Sequence, residues 1–268
     1  MRSQSHKSKL NSNQIHILQI IYKFRFINSA LLATYYSKHR SVINRSLEVL
    51  KALGYIEHRY GKDFRILGKG ATYYLTTKGM NCIKDLANHN TLALHAMYKN
   101  GTVRQKFIDE NINTLRTYLT LRETYPNEFH LFTKTDSADF EYFPNPRPEL
   151  YLNRINSKPD ASSEFLLIIF SDTTMPFVMK KKVKQLLEHY DDGEWESATS
   201  NAYPTILLVF PHSRLESVLQ TEIIKLLDNA GIDELTILTT TSRALLGSDL
   251  NNRTIWTNLL SPSLLVSL

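Results

Sequence analysis

The stretch SKHRSVINRSLEVLKALGYIEHRYGKDFRILGKGATYYLTTKG, residues 37–79, changes its period twice. From about His39 to Leu53 apolar residues recur at helical spacing. Ile43, Leu47, Leu50 and Leu53 fall on one face, with Arg40, Ser41, Asn44, Arg45 and Glu48 on another. Ser37 is the expected cap of that helix, and Gly54 its C-terminal stop. Tyr55 to Tyr60 then alternates as a strand does. Gly61 to Gly70 supplies a turn carrying Lys62, Arg65 and Lys69, and Ala71 to Leu75 returns as a second strand. The expectation is a helix with a polar leading face, followed by a hairpin with a basic tip.

Upstream, Asn11 or Ser12 can cap a helix whose Ile15, Leu18, Ile21 and Tyr22 make one apolar stripe, and Phe24 and Phe26 lead into a turn. Asn28 can cap a second short helix through Leu31, Leu32 and Tyr35. These helices and the hairpin form a module over residues 1–88 that holds the surplus charge. Between Met1 and Met80 there are 14 Lys and Arg against three acids, a balance of +11; the remaining 188 residues carry 18 basic and 23 acidic groups, a balance of −5. A basic module joined to a mildly acidic remainder points to a nucleic-acid partner. Helices followed by a basic hairpin match the winged helix-turn-helix arrangement, in which the leading turns of the third helix meet base edges and the wing meets phosphate. Lys38, Arg40, Ser41, Asn44 and Arg45 from the helix, and Arg59, Lys62, Arg65 and Lys69 from the wing, are the expected contacts to double-stranded DNA. A winged module that docks a protein is the competing reading.

Composition narrows the function classes. At 268 residues the chain has room for two modest cores. Its one cysteine, Cys82, excludes an internal disulfide and a cysteine-built zinc site, and its nine histidines show no His-x-x-His or HExxH pairing. No resident metal or cofactor is expected from these residues. The opening MRSQSHKSKL lacks the apolar run of a signal peptide, and the longest apolar run, Phe165 to Phe170, is strand-sized. A cytoplasmic protein with no membrane partner is expected.

After Gly79 the pattern is helical through Met80 to Asn88, then through a connector over 89–127. There Leu92, His95, Val103, Phe107, Ile112, Leu115, Leu119 and Arg122 make an imperfect stripe, interrupted at Asn100-Gly101, that fits two helices. Such a connector serves either as a homodimer contact or as packing for its own C-terminal domain. Over 128–268, His130 to Phe132, Glu149 to Leu152, Glu164 to Phe170, Thr205 to Phe210 and Leu235 to Thr240 read as strands, with helices over Val178 to Tyr190 and Arg214 to Ala230. Strands alternating with helices argue for an α/β sheet covered on both sides, and this order is compatible with a restriction-endonuclease-like core.

LKALGYIEHRY (50–60) and ATYYLTTKG (71–79) look like the long helix, glycine, strand, wing, strand and Leu-Thr-x-x-Gly series of bacterial winged-helix proteins. Further on stand Arg147-Pro148-Glu149 or Lys158-Pro159-Asp160, then Ile168 to Thr174, the Lys180 to Lys184 run through Tyr190, Leu208-Val209-Phe210, Thr239 to Arg243, and Ile255-Trp256. From about Asn11 to Trp256 the chain thereby resembles the replication-relaxation family of plasmids and integrated mobile elements, relatives of the MobC-class relaxases. The resemblance implies an α+β winged helix joined to a restriction-endonuclease-like α/β domain, with a role in replication or mobilisation.

The departures from that pattern concern chemistry. Phosphodiester cleavage in such a fold needs carboxylates converging on magnesium or manganese, and the strand carboxylate expected near Ile169 or Phe170 is missing. Glu149, Asp160 and Asp172 are the remaining candidates, with Lys181 or a neighbour in the Lys180 to Lys184 run as the lysine. RPELYL reads as a strand and KPDASSE as a hairpin turn, which favours Glu149 over Asp160. The lysines are equally the solvated side of a helix packing Val183, Leu186 and Leu187 inward. Tyr190 and Tyr203 lack the histidine cluster that a covalent relaxase requires. The leading expectation is a DNA-binding protein with a degenerate nuclease-like domain; the alternatives are a metal-dependent nicking relaxase and a winged-helix transcription regulator.

Overall fold

Asn11 starts the first helix by a reciprocal cap. Its side chain accepts the Gln14 N–H while Gln14 Oε1 accepts the Asn11 N–H, both at 2.9 Å, satisfying two donors that a helix start leaves open. The computed structural model describes residues 10–61, 68, 70–84, 86, 89–155, 163–247 and 253–268. The chain divides into two units, Met1–Ile112 and Asn113–Leu268, each mixing helices with a sheet.

The first unit holds α1 (Ser12–Phe24), β1 (Ile27–Asn28), α2 (Ser29–Tyr36), α3 (Arg40–Ala52), β2 (Ile56–Arg59), β3 (Thr72–Leu75), α4 (Thr77–Lys84) and α5 (Thr91–Met97). Helix α6 (Gln105–Thr124) begins in this unit and ends in the next. The three strands form an antiparallel sheet in the order β1-β3-β2, with Ile56 opposite Leu75 and His58 opposite Tyr73. Leu18, Ile21, Leu32, Leu47, Leu50, Ile56 and Leu75 are fully buried, so the apolar stripes of the three helices and the sheet share the interior. The connector is broken between α5 and α6.

Ser37 departs from the expectation that it caps α3. It closes α2 instead, in the left-handed region at φ 51°, with its N–H on the Ala33 and Thr34 carbonyls. So short a linker makes Ser37 serve the turn out of α2, and the cap falls to His39, whose Nδ1 faces the Ser41 N–H at 3.4 Å.

Helix α3 ends as its glycine requires. Gly54 sits at φ +76°, Tyr55 N–H reaches the Leu50 carbonyl at 3.0 Å, and Gly54 N–H reaches that of Lys51 at 2.8 Å, the two bonds of a Schellman motif. The segment Leu75 to Gly79 then closes over this turn. Thr76 donates its N–H to the Tyr55 carbonyl and its hydroxyl to the Gly54 carbonyl, at 3.1 and 2.7 Å. Its hydroxyl also accepts the Gly79 N–H at 3.2 Å, and Lys78 Nζ caps the Leu53 carbonyl at 2.7 Å while lying over the Tyr55 ring. At Gly79 a Cβ would overlap the Tyr55 carbonyl. The Leu-Thr-x-x-Gly signature is therefore a docking device: an apolar anchor, a two-way hydroxyl, and a helix start with no side chain.

The second unit is built on a seven-stranded sheet, β10-β9-β8-β7-β6-β5-β4. Its strands are β4 (Phe129–Thr133), β5 (Leu150–Arg154), β6 (Glu164–Ile169), β7 (Thr205–Phe210), β8 (Ile237–Thr241), β9 (Trp256–Asn258) and β10 (Ser261–Val266). β6, β7 and β8 run parallel, and the flanking pairs are antiparallel. Its later helices are α7 (Pro176–Asp191), α8 (Glu194–Thr199), α9 (Ser213–Ala230) and α10 (Ser242–Gly247). Because consecutive parallel strands are joined by crossovers of one hand, α7 and α9 return on the same face. Val183, Leu186, Leu187, Leu219, Ile223 and Leu227 pack there on Ile168, Ile206, Leu208 and Ile237. Among the described residues no helix is long and apolar enough to cross a membrane.

The two glycines of the docking device differ in what they require. Gly54 needs only a backbone conformation, since nothing lies within 4 Å of a Cβ there, whereas Gly79 needs space. Gly54→Asn is expected to cost the first unit less than about 1 kcal/mol, because Asn tolerates the left-handed region. Gly79→Asn should cost about 3 kcal/mol or more, because the obstacle is backbone. Hydrogen exchange of the amides over 47–80 measures both; equal effects would refute the distinction.

Candidate nucleic-acid interface and the Glu149 cluster

Helix α3 buries Ile43, Leu47 and Leu50, so helical spacing turns Ser41, Arg45 and Ala52 outward, with Arg40, Asn44 and Lys51 on one flank and Val42 and Val49 on the other. Lys38, Arg40, Ser41, Asn44 and Arg45 are all exposed. The first turn contains no acid; Glu48 and Glu57 limit the positive face further along.

Arg40 is held more tightly than its exposure suggests. Its Nε donates to Ser29 Oγ at the start of α2, 3.0 Å away, and a Cβ on Gly70, at the foot of the hairpin, would stand 3.0 Å from its Nη2. Burial raises the Tyr73 phenol, Glu48 and Tyr60 raise it further, and Arg40 opposes them, so Tyr73 faces α3. The structure thus brings together α2, α3 and the hairpin base around one guanidinium.

Arg59 is placed elsewhere. The strand period sets it on the opposite face from His58 and its partner Tyr73, where Arg59 Nη1 donates to the Val103 carbonyl at 2.7 Å. That face carries Tyr74 onto the cluster of Phe26, Ile108 and Ile112. Lys62, Arg65 and Lys69 lie outside the described residues. Two further basic residues are engaged internally. Arg25 donates to the Ala96 carbonyl and Asn100 Oδ1 at 2.9 and 2.7 Å, lies over the Phe107 ring, and has its guanidinium pKa lowered by burial; Lys78 caps the end of α3.

Val42 and Val49, 51% and 41% exposed, were not anticipated at this face. Their signal was present in the sequence, since neither belongs to the Ile43, Leu47 and Leu50 stripe.

In the second unit Glu149 immediately precedes β5, and its side chain is 13% exposed. Lys134 Nζ and Lys182 Nζ bind its Oε1 at 2.8 and 3.0 Å, and the Ile169 N–H donates to its Oε2 at 2.9 Å. Burial by itself would raise this carboxyl, but the two ammonium groups and the Ile169 N–H outweigh it and hold the pKa down at about 2. Of the lysine run it is Lys182, not Lys181, that reaches the carboxylate. Lys182 lies three residues from Met179 and four from Leu186, both buried, whereas Lys181 is exposed. Lys180 pairs with Glu222 and Lys184 with Glu188. Asp172 is exposed in the loop after β6, where the Ser171 hydroxyl meets those of Thr173 and Thr174; Asp160 lies outside the described residues.

Magnesium or manganese does not fit this arrangement. Two ammonium groups already neutralise Glu149 at bonding distance, and among the described residues no group of three or more His, Cys, Asp or Glu can hold a metal ion. Tyr203 bonds His189 Nδ1 at 2.9 Å, its phenol pKa pushed up by burial, and Tyr190 packs edge-on against it. Both tyrosines line the core that α7 and α9 make.

The depressed Glu149 pKa fixes a pH dependence. Its folded value lies below the ordinary 4.5, so its stabilisation is complete above about pH 4.5 and is lost as pH falls towards 2. Both tryptophans, Trp195 and Trp256, belong to the second unit, so their fluorescence in denaturant titrations reports it selectively. Wild type should lose on the order of 3 kcal/mol across that window; Glu149→Gln should start lower and lose correspondingly less. Parallel pH profiles would refute the assignment. No family model, curated protein or solved structure matches the chain.

Proposed function

We propose that the first unit is a winged helix-turn-helix module that binds duplex DNA, with α3 in the major groove and the β2–β3 hairpin as its wing. The chain as a whole is read as a DNA-binding protein of replication-relaxation type, serving replication or mobilisation of a plasmid or mobile element. The observation that carries the reading is the exposed set Arg40, Ser41, Asn44 and Arg45 on the leading turns of α3, beside a hairpin base that Arg40 approaches. Arginine and asparagine there suit guanine and adenine edges, while serine accommodates either. The unit's charge of +11 through Met80 supplies the long-range attraction to phosphate.

The second unit is read as a nuclease-like α/β domain without cleavage. Its best carboxylate, Glu149, is neutralised by Lys134 and Lys182.

Gel shifts on duplex DNA across a salt series test the reading. Affinity should fall steeply with salt, and replacing Lys62, Arg65 and Lys69 together by Ala should flatten the log–log slope by about 0.9 for each phosphate no longer neutralised. Arg45→Ala should cost about 1–3 kcal/mol on a preferred sequence and little on a random one. A salt-independent midpoint, or one indifferent to all four changes, would sink it. Supercoiled plasmid with magnesium or manganese should remain supercoiled.

A further inference from the structure

Resting on that reading, we infer that α3 recognises thymine through Val42 and Val49, so that the preferred duplex carries two thymine methyl groups on the strip of groove that these side chains meet. Each of the two valines leaves branched apolar surface exposed on a helix face whose other outward residues are largely polar. Here they share one flank of the outward face, seven residues apart, with Arg45 beside them. At 1.5 Å per residue that separation is about 10 Å, or roughly three base steps at 3.4 Å. The occupant is anionic, because Arg45 is exposed beside the strip and Lys38 is exposed in the linker that leads into α3. It must also offer apolar points in an otherwise polar surface. In the major groove of DNA the thymine 5-methyl is that point, and alkyl side chains meet it.

The test uses the full chain and a random-sequence duplex pool. Retained duplexes should be enriched in thymine at two positions about three base pairs apart. Replacing either thymine by deoxyuridine, which removes only the methyl, should weaken binding about fourfold, the effect of one buried carbon. Val42→Ala should abolish that discrimination at one position and Val49→Ala at the other. Alanine at exposed helix positions favours folding, so a general loss of structure is not expected to confuse the result. Retained duplexes that bind equally with thymine or deoxyuridine would overturn the inference while leaving DNA binding intact. A DNA-free dimer that both substitutions dissolve would overturn it in favour of a second copy of the chain. No retained duplex at all would overturn the DNA reading and the inference together.

Discussion

The carbonyl of Tyr55 is the point on which the N-terminal unit depends. It accepts the Thr76 N–H and lies where any side chain at residue 79 would stand. One oxygen thereby fixes the end of α3, the return of β3 and the start of α4. Hydrogen bonds from Thr76 and Lys78 to the carbonyls of Gly54 and Leu53 finish the turn, leaving the end of α3 few unsatisfied groups. These bonds, one from a backbone N–H and two from side chains, tie the end of α3 to residues 75–79. The buried Leu75 adds an apolar anchor to them.

Much of this was legible in the residues, for reasons that can be stated. Periodicity marked α1 and α3 because each buries an apolar face, α2 was marked by its Asn28 cap and the apolar residues after it, and Gly54 marked an end because a left-handed residue completes that turn. β6 and β7 were legible as continuous apolar runs, buried on both faces. β9 and β10 were not: Trp256–Asn258 is three residues long, and its pairing with β8 is decided by tertiary contact. The α3 cap shifted from Ser37 to His39 because one residue in so short a linker cannot serve both helices. At the candidate interface the sequence indicated which residues α3 exposes, but not that Arg25, Arg59 and Lys78 cap carbonyls inside the unit. A charge count treats all cations alike; only the fold separates those that stabilise it from those left facing solvent.

Glu149 illustrates the same limit. Its position at the start of a strand could be read from RPELYL, but its partners lie 15 and 33 residues away. Charge pairing over such distances is a property of the folded chain. Lys134 and Lys182 together neutralise this largely buried carboxylate, which would otherwise be costly to keep charged. The cluster's electrostatic balance suits stability.

Arg40 has a consequence of a different kind. A free arginine side chain samples many rotamers and loses that freedom when it grips an anion. Arg40 has its Nε hydrogen-bonded to Ser29 Oγ at 3.0 Å, so part of that freedom is already gone. An arginine held in this way has less rotamer freedom left to lose than one that hangs free in solvent. That ordering is built in at the junction of α2 and α3, as a property of the folded unit itself.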